Sequence, residues 1–319
     1  MASFRSRLLY AALACAVVGG GTTAGTVYLR AHASTAAVSS PASGAASASA
    51  PTDGDGEASV EPSAEPAVDR DALLAKAMTA VSVADGTLMS VAVLDPETGE
   101  SAAYGDGTFA TASIVKVDIL ATLLLQAQDA GRSLTSAERT YATAMIENSD
   151  NASATALWRT IGGADGLDAA NERFGLTGTE GGDGDLWGLT TTTAADQLVL
   201  LQQVFGSDSV LTPASRTYLQ GLMEQIADDQ DWGVSAAGSS SALKNGWLPR
   251  STTGLWVINS IGRVTVDGRD LLVAALSQGN TTKAAGISLV EAAAKAAVSV
   301  CGADGATASA EPELAQNSS

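Results

Sequence analysis

In the region 69–303, the sequence predicts strands near both ends and a long series of helices between them. This order strongly constrains the fold. Apolar residues alternate with small ones at 89–93, and a second strand is expected at 101–104 after a turn rich in Pro, Thr and Gly. Two more strands are expected at 255–264 and 271–277, joined by an Asp-Gly hairpin turn. Because hairpins indicate antiparallel pairing, the sequence predicts an α+β fold. In this fold an antiparallel sheet from both chain ends is flanked by terminal helices and carries an inserted all-helical lobe.

Helical periodicity fills the rest of the region. Terminal helices are expected at 70–81 and 283–300. The inserted lobe is expected to contain helices at 113–129, 136–147, 152–161, 165–174, 193–205 and 212–228. A crevice between the sheet and the lobe is the expected position of a functional site.

Residues 1–33 have the features of an export signal. Arg5 and Arg7 give a basic start, the stretch that follows is apolar and uncharged, and an Ala-His-Ala sequence resembles a cleavage site. Two alternatives stay open at this point. The segment could be retained as a membrane anchor, since about 20 apolar residues span a bilayer, or it could be lipidated at Cys15.

Composition divides the remainder into a folded region and two tails. Residues 34–68 and 304–319 consist mainly of Ala, Ser, Pro, Gly and acidic residues, which cannot build a packed core. We therefore expect a disordered linker and a disordered tail around a folded domain at 69–303. The formal net charge is −18, and an acidic surface of this kind repels phosphate backbones. The sequence therefore disfavours a nucleic-acid partner.

Ser113 and Lys116 begin the first helix of the predicted lobe, one turn apart on the same face. In this geometry an amine can lie close enough to a hydroxyl to remove its proton. The only histidine, His32, belongs to the leader, which excludes a Ser-His-Asp triad and a His-ligated metal from the folded region. We expect no metal and no other cofactor. If the chain is a serine hydrolase, a lysine must supply the base.

Two further motifs follow in a fixed order. Ser149-Asp150-Asn151 is expected on a loop between two helices, and Lys244-Asn245-Gly246 just before the late hairpin. Each motif alone has an ordinary structural explanation, as a helix cap or as a lysine at a strand edge. Together, and in this structural context, they resemble the motifs of the penicillin-recognising serine hydrolases, above all the class A beta-lactamase-like branch. The resemblance covers essentially all of 69–303.

The resemblance implies a role for each motif residue. Ser113 would be the acylated nucleophile, Lys116 its proton acceptor and Ser149 a proton relay. The backbone N–H groups of Ser113 and Trp247 would form the oxyanion hole, and Lys244 would lie beside the substrate carboxylate. The implied substrate-binding residues are Asn151, Lys244, Asn245, Gly246 and Trp247.

The sequence departs from the family pattern in two places. The third motif has Asn245 where Thr or Ser is usual, so its hydrogen-bonding reach differs. The loop at 176–190 lacks the Glu and Asn that supply the deacylating base in efficient class A enzymes, and Glu180, Asp183 and Asp185 are the remaining candidates. General-base help contributes about 10²–10⁴ in rate, so an acyl-enzyme without it would persist.

The expected protein is an exported serine hydrolase, extracellular or associated with the cell envelope, that acts as a monomer on a small acyl compound. A beta-lactam or a cell-wall peptide is the expected substrate, with a role in antibiotic response. The N-terminal segment could also tether it to a membrane. Two alternatives stay open: a binding or sensor module that turns over slowly, and a pseudoenzyme that keeps the fold without the chemistry.

Overall fold

The computed structural model describes residues 68–301. The expectations for the leader, for nearly all of the linker and for the tail concern residues outside this range. Within the range, no helix combines the length and the apolar character needed to cross a membrane.

The strands are β1 (Leu88–Leu94), β2 (Ser101–Tyr104), β3 (Phe109–Ala110), β4 (Thr191–Thr192), β5 (Ser241–Pro249), β6 (Trp256–Val266) and β7 (Arg269–Asn280). The helices are α1 (Arg70–Met78), α2 (Val115–Asp129), α3 (Ser136–Glu147), α4 (Asn151–Ile161), α5 (Gly163–Phe174), α6 (Ala194–Phe205), α7 (Pro213–Met223) and α8 (Lys283–Val298). Four short 3₁₀ helices lie at Ala112–Ile114, Trp187–Leu189, Asp228–Gln230 and Gly233–Ala237.

The predicted fold class is confirmed. A five-stranded antiparallel sheet has the order β2-β1-β7-β6-β5, so strands from the start and the end of the domain pair side by side. A second, two-stranded sheet joins β3 to β4. Helices α2 to α7 all lie in the chain between β2 and β5, and they make up the inserted lobe.

Two predicted elements differ from the structure. The third motif was expected before the hairpin, but it lies inside β5, an edge strand that pairs with β6 from Ser241 to Pro249. The helix expected at 212–228 ends at Met223, and the chain then continues into the 3₁₀ turn Asp228–Gln230. The edge strand β5 carries Lys, Asn, Gly and Pro, residues that are depleted in strands, which is why the pattern concealed it.

Both faces of the sheet are buried, and the alternation of side chains along each strand divides the core in two. Val91 and Val93 pack with α1 and α8, whereas Ala92 and Leu94 belong to the core of the lobe. Strand β7 divides in the same way, with Val273 on one side. This continuous apolar character is typical of a strand that is covered on both faces.

Helix α2 is buried on nearly all sides and forms the centre of the lobe. A helix that is apolar all round belongs in a core, where its neighbours prevent it from shifting. Neighbouring helices begin at well-made caps: Thr135 and Glu138 form a capping box for α3, and Asp150 caps α4 by accepting from the N–H of Ser153 at 2.6 Å. The first two motifs are therefore held by rigid elements.

Candidate active site

Ser113 lies in the 3₁₀ turn that leads into α2. The preceding Ala112 has a φ of +49°, a left-handed conformation that costs a non-glycine residue about 1–3 kcal/mol. Surrounding hydrogen bonds hold this turn in position. Thr111 donates its N–H to the carbonyl of Thr190 at 2.8 Å, and the buried amide of Asn259 donates to the carbonyls of Ala110 and Thr111, both at 2.9 Å.

Lys116, one turn further on, is wholly buried. Its ammonium donates to the carbonyl of Ser149 at 2.7 Å, to Ser149 Oγ at 3.0 Å and to Asn151 Oδ1 at 2.9 Å. Burial lowers the pKa of Lys116 to about 7, although the charge of Asp150 acts in the opposite direction. A substantial fraction of this amine is therefore neutral near neutral pH and able to accept a proton.

The loop of the second motif has the shape needed for these contacts. Ser149 has a φ of +54°, and the N–H of Asp150 donates to the carbonyl of Ala144 at 3.0 Å. This tight turn directs both oxygens of Ser149 at Lys116. As the sequence suggested, Asp150 serves as the cap of α4, so of the three motif residues only Ser149 and Asn151 contact the amine.

The third motif brings a second lysine to the same place. Lys244 is wholly buried on β5, and its ammonium donates to Asn245 O at 3.2 Å and to Gln230 Oε1 at 3.4 Å. Burial, with a smaller contribution from the charge of Lys116, lowers the pKa of Lys244 to about 7. Because the two amines interact, loss of the proton from one of them removes this repulsion and favours the charged form of the other.

The other two residues of this motif have different environments. The amide of Asn245 donates to the backbone carbonyls of Gln230 at 2.7 Å and Trp232 at 2.9 Å, so it holds the segment beside β5 and does not line the cavity beside Ser113. A methyl group on Gly246 would lie 2.7 Å from the carbonyl oxygen of Thr111 and 2.8 Å from the nitrogen of Ser113. Only glycine allows β5 to approach the Ser113 turn so closely.

The cavity beside Ser113 has a volume of about 330 Å³. Asn151 and Thr155 line it from α4, Trp247 lines it from β5, and Trp187 lines it from the loop between α5 and α6. The indole N–H of Trp187 donates to Thr155 Oγ1 at 3.1 Å, and its ring lies 5.0 Å from the amine of Lys116. The cavity therefore combines the hydroxyl of Ser113 with two aromatic walls, and the buried amine of Lys116 lies next to one of these walls.

A family model described as "Beta-lactamase enzyme family" matches residues 135–301, which is more than half of the chain. The chain belongs to this family. The predicted resemblance to the penicillin-recognising serine hydrolases is therefore confirmed, and the protein is a beta-lactamase-like protein.

Solved structures agree on the fold. A beta-lactamase from Xanthomonas campestris is 21% identical, with a TM-score of 0.58, and the match covers 73% of this chain and 97% of that one. The TLA-1 extended-spectrum beta-lactamase is 14% identical, with a TM-score of 0.63 over 72% of this chain and 97% of that one. PBP-A is 20% identical, with a TM-score of 0.61 over 70% of this chain and 94% of that one, and a variant of PBP-A was solved as an acyl-enzyme complex with penicillin G.

Among curated proteins, the chain is similar to the candidate lipoprotein LppW of Mycobacterium tuberculosis and Mycobacterium bovis. The identity is 31% over 116 residues, which are 36% of this chain and 37% of LppW. The matched part therefore spans little more than a third of these curated relatives.

The three candidate bases of this beta-lactamase-like protein have different positions. Asp185 lines the cavity, but it is ion-paired with Arg159, which holds the pKa of the Asp185 carboxyl below its usual range. Glu180 and Asp183 are exposed and do not line the cavity. The loop residue beside Lys116 is Trp187.

Sequence reasoning missed several residues of this site. Trp187 and Thr155 reach the cavity from separate segments, and no local pattern marked them. Asn259 did carry a signal, because it is a polar residue in an apolar stretch, and such a residue is buried only when it is hydrogen-bonded.

Proposed function

We propose that this protein is an exported serine hydrolase that forms an acyl-enzyme on Ser113 with a beta-lactam or a related acyl compound, and that it hydrolyses this acyl-enzyme slowly. One observation carries the proposal. The amine of Lys116 is buried, has a pKa of about 7, and contacts both Ser149 and Asn151 beside the cavity that Ser113 lines. An amine in this state is a competent general base at neutral pH.

In the proposed acylation, neutral Lys116 removes the proton of Ser113 as Oγ attacks the carbonyl carbon of the substrate. The carbon–nitrogen bond of the lactam then breaks, and the proton passes through Ser149 to the leaving nitrogen. The N–H groups of Ser113 and Trp247 stabilise the negative oxygen of the intermediate. The close approach of Gly246 to Ser113 supports this role, because it brings β5 against the turn. One such donor is worth about 3–4 kcal/mol in the transition state.

The residues that line the cavity support slow hydrolysis of the acyl-enzyme. Release of the acyl group requires a water molecule near Ser113 and a base to activate it. The ring of Trp187 covers Lys116. Within the described part of the chain, Asp185 supplies the one carboxylate that lines the cavity, and this carboxylate is ion-paired with Arg159. The PBP-A variant solved as an acyl-enzyme complex with penicillin G offers a parallel for an acyl-enzyme on this fold.

Acylation of Ser113 is compatible with two substrate classes. Both of them are consistent with a protein that acts outside the cytoplasm. A beta-lactam and a D-alanyl cell-wall peptide both present an acyl carbonyl group to a nucleophile, and an exported enzyme can meet both outside the cytoplasm. The export features of 1–33 and the similarity to the candidate lipoprotein LppW support an envelope location, with the N-terminal segment as a tether. We propose that the domain acts as a monomer.

The test is acylation by benzylpenicillin followed by intact mass. We expect one adduct on the wild-type protein and none on Ser113→Ala. The matched control is Ser136→Ala, which makes the same change at an exposed serine of α3 and should be acylated normally. An adduct on Ser113→Ala, or none on the wild type, would refute the proposal.

The lifetime of the adduct tests the second half of the proposal. After excess penicillin is removed, the adduct should decay over minutes or longer, and nitrocefin should give a burst that corresponds to one equivalent of enzyme. Turnover at about 1–10³ s⁻¹, the range of ordinary enzymes, would refute slow hydrolysis while leaving acylation intact.

A slow-turnover sensor of beta-lactams or cell-wall fragments is the second candidate, and the position of Trp187 favours it. The two functions share the acyl-enzyme and differ in the fate of that intermediate. A lifetime of hours, comparable to a cell generation, would favour a sensor over a hydrolase.

A further inference from the structure

A second cavity of about 600 Å³ adjoins the proposed active-site cavity. Leu189 lines both of them, so the two spaces meet at this side chain. The second cavity lies past the end of β5, between the β5–β6 turn and the small sheet of β3 and β4. A volume of this size accommodates a ligand much longer than the phenylacetyl group of benzylpenicillin.

Among residues 68–301, Arg250 is the only charged residue that lines this second cavity. Its backbone is fixed by the turn, since its N–H donates to the carbonyl of Leu255 at 2.8 Å and its carbonyl accepts from the N–H of Gly254 at 2.7 Å. The rest of the lining is apolar or neutral, with Leu88, Phe109 and several threonines. The cavity is thus amphipathic and has a single positive group.

The side chain of Arg250 stands out from the other arginines. Every other arginine of residues 68–301 has an ion pair, a hydrogen bond or an aromatic ring as a partner, and no such contact is found for Arg250. The chain carries a net charge of −18, so acidic partners are abundant. An arginine that stays unpaired in this setting keeps its five N–H donors available for an external anion.

The position of Arg250, one residue past the end of β5, indicates how far its backbone lies from the reacting centre. Gly246 and Trp247 are beside Ser113, and Arg250 follows Trp247 by three residues. At about 3.3 Å per residue, the two positions are about 10 Å apart. An acyl chain that leaves Ser113 alongside the strand therefore reaches Arg250 only if it is long and extended.

From these observations we infer that Arg250 forms a subsite for a carboxylate at the far end of an extended acyl donor. This inference rests on the proposed function, and it specifies the substrate: an acyl chain about 10 Å long with an acidic terminus, bound along the apolar wall past Leu189. The guanidinium binds the carboxylate through paired N–H donors. Short acyl groups such as phenylacetyl occupy only the first cavity.

The experiment uses penicillins that differ only in the acyl chain. 6-Aminopenicillanic acid is acylated with decanedioic acid, leaving the far carboxylate free, or with the monoamide of the same diacid. The second-order rate constant of acylation is measured by intact mass. We expect the free carboxylate to react about ten-fold faster than the amide, the factor given by one charge-assisted hydrogen bond. The succinic acid pair, which is too short to reach Arg250, should show no preference.

Variants assign the preference to the arginine. Arg250→Gln should abolish the preference and leave acylation by benzylpenicillin unchanged, whereas Arg250→Lys should retain part of it. The matched control is Lys76→Gln, which removes the same charge at an exposed site on α1 and should keep the full preference. Equal rates for the two long probes, or a preference that survives in Arg250→Gln, would overturn the inference.

Binding without reaction separates this inference from the proposed function. The affinity of Ser113→Ala for the same two long probes is measured by isothermal titration calorimetry. A carboxylate preference that Arg250→Gln removes supports the subsite even if no probe acylates Ser113. Normal acylation by benzylpenicillin with no carboxylate preference in either assay leaves the proposed function standing and rejects the subsite.

Discussion

Replacement of Asp118 by Asn should stabilise the protein, and the gain should grow with pH. Asp118 is a wholly buried residue of α2, two positions after Lys116. The pKa of its carboxyl is raised to about 8, mainly by burial and to a smaller extent by the charges of Asp168 and Asp196, and neither carboxyl oxygen has a hydrogen-bond partner among the residues that the structure describes. The folded protein therefore holds Asp118 in its neutral form at neutral pH, and an amide of the same shape imitates that form.

The magnitude follows from the difference between the two pKa values. In the unfolded chain this carboxyl ionises near pH 3.8, and in the folded protein near pH 8. Between these values the folded state binds one more proton, so this group's contribution to stability is lost as pH rises, by about 1.4 kcal/mol per pH unit. At pH 7 the protonation of Asp118 costs at most about 4 kcal/mol. Asp118→Asn avoids that cost, and we expect a gain of about 2–4 kcal/mol.

Urea unfolding followed by tryptophan fluorescence at several pH values between about 5 and about 8 measures this gain. The free energy of unfolding of the wild type should fall more steeply with pH than that of Asp118→Asn. Asp196→Asn is the matched control, because the Asp196 carboxylate accepts from Gly178 N at 2.8 Å and Thr179 Oγ1 at 2.6 Å, so its loss should destabilise. Parallel pH slopes for the wild type and Asp118→Asn would refute the reasoning.

Three further predictions concern the proposed chemistry. Acylation by benzylpenicillin should speed up as pH rises and level off above about pH 7, because the pKa of Lys116 is lowered to about 7 and only its neutral form accepts a proton; a pH-independent rate would contradict this. Gly246→Ala should slow acylation by about 100-fold or more, measured by intact mass, because its methyl group would push β5 away from Ser113; an unchanged rate would remove the close approach from the mechanism. Trp187→Ala should shorten the lifetime of the acyl-enzyme by admitting water beside Lys116, and an adduct that decays as slowly as on the wild type would exclude the indole as the barrier.

Much of the fold could be predicted from local patterns, since helices with clear caps carry their own boundaries. The expected helix at 136–147 coincides with α3. Its capping box consists of Thr135 and Glu138, a spacing that can be recognised in the sequence. Strand β5 could not be predicted in this way, because its register is fixed by β6 and not by its own alternation. The two-residue strands β3 and β4 are too short to leave any period at all.

The candidate site also contains some features that local sequence predicts and others that depend on tertiary contacts. The spacing of Ser113 and Lys116 follows from helix geometry, so their proximity could be expected from sequence. The contacts of Lys116 with Ser149 and Asn151 join residues more than thirty positions apart, and only the motif order suggested them. Trp187 comes from a loop whose path depends on tertiary hydrogen bonds, such as that from its indole to Thr155, and sequence patterns carry no information of that kind.

Several costs of folding coincide at one point of this domain. Ala112 and Ser149 adopt left-handed backbone conformations, and Lys116 and Lys244 are taken wholly out of water. Apolar residues of similar size at the two lysines would remove the desolvation cost, so the arrangement does not serve stability. The stability of the fold would gain nothing from these two left-handed residues and two buried lysines, which come from three separate segments of the chain. A reactive site does gain, because a low-pKa amine and a rigidly held turn are what the acylation of a serine requires. This coincidence favours a domain that performs chemistry over one that only keeps the fold.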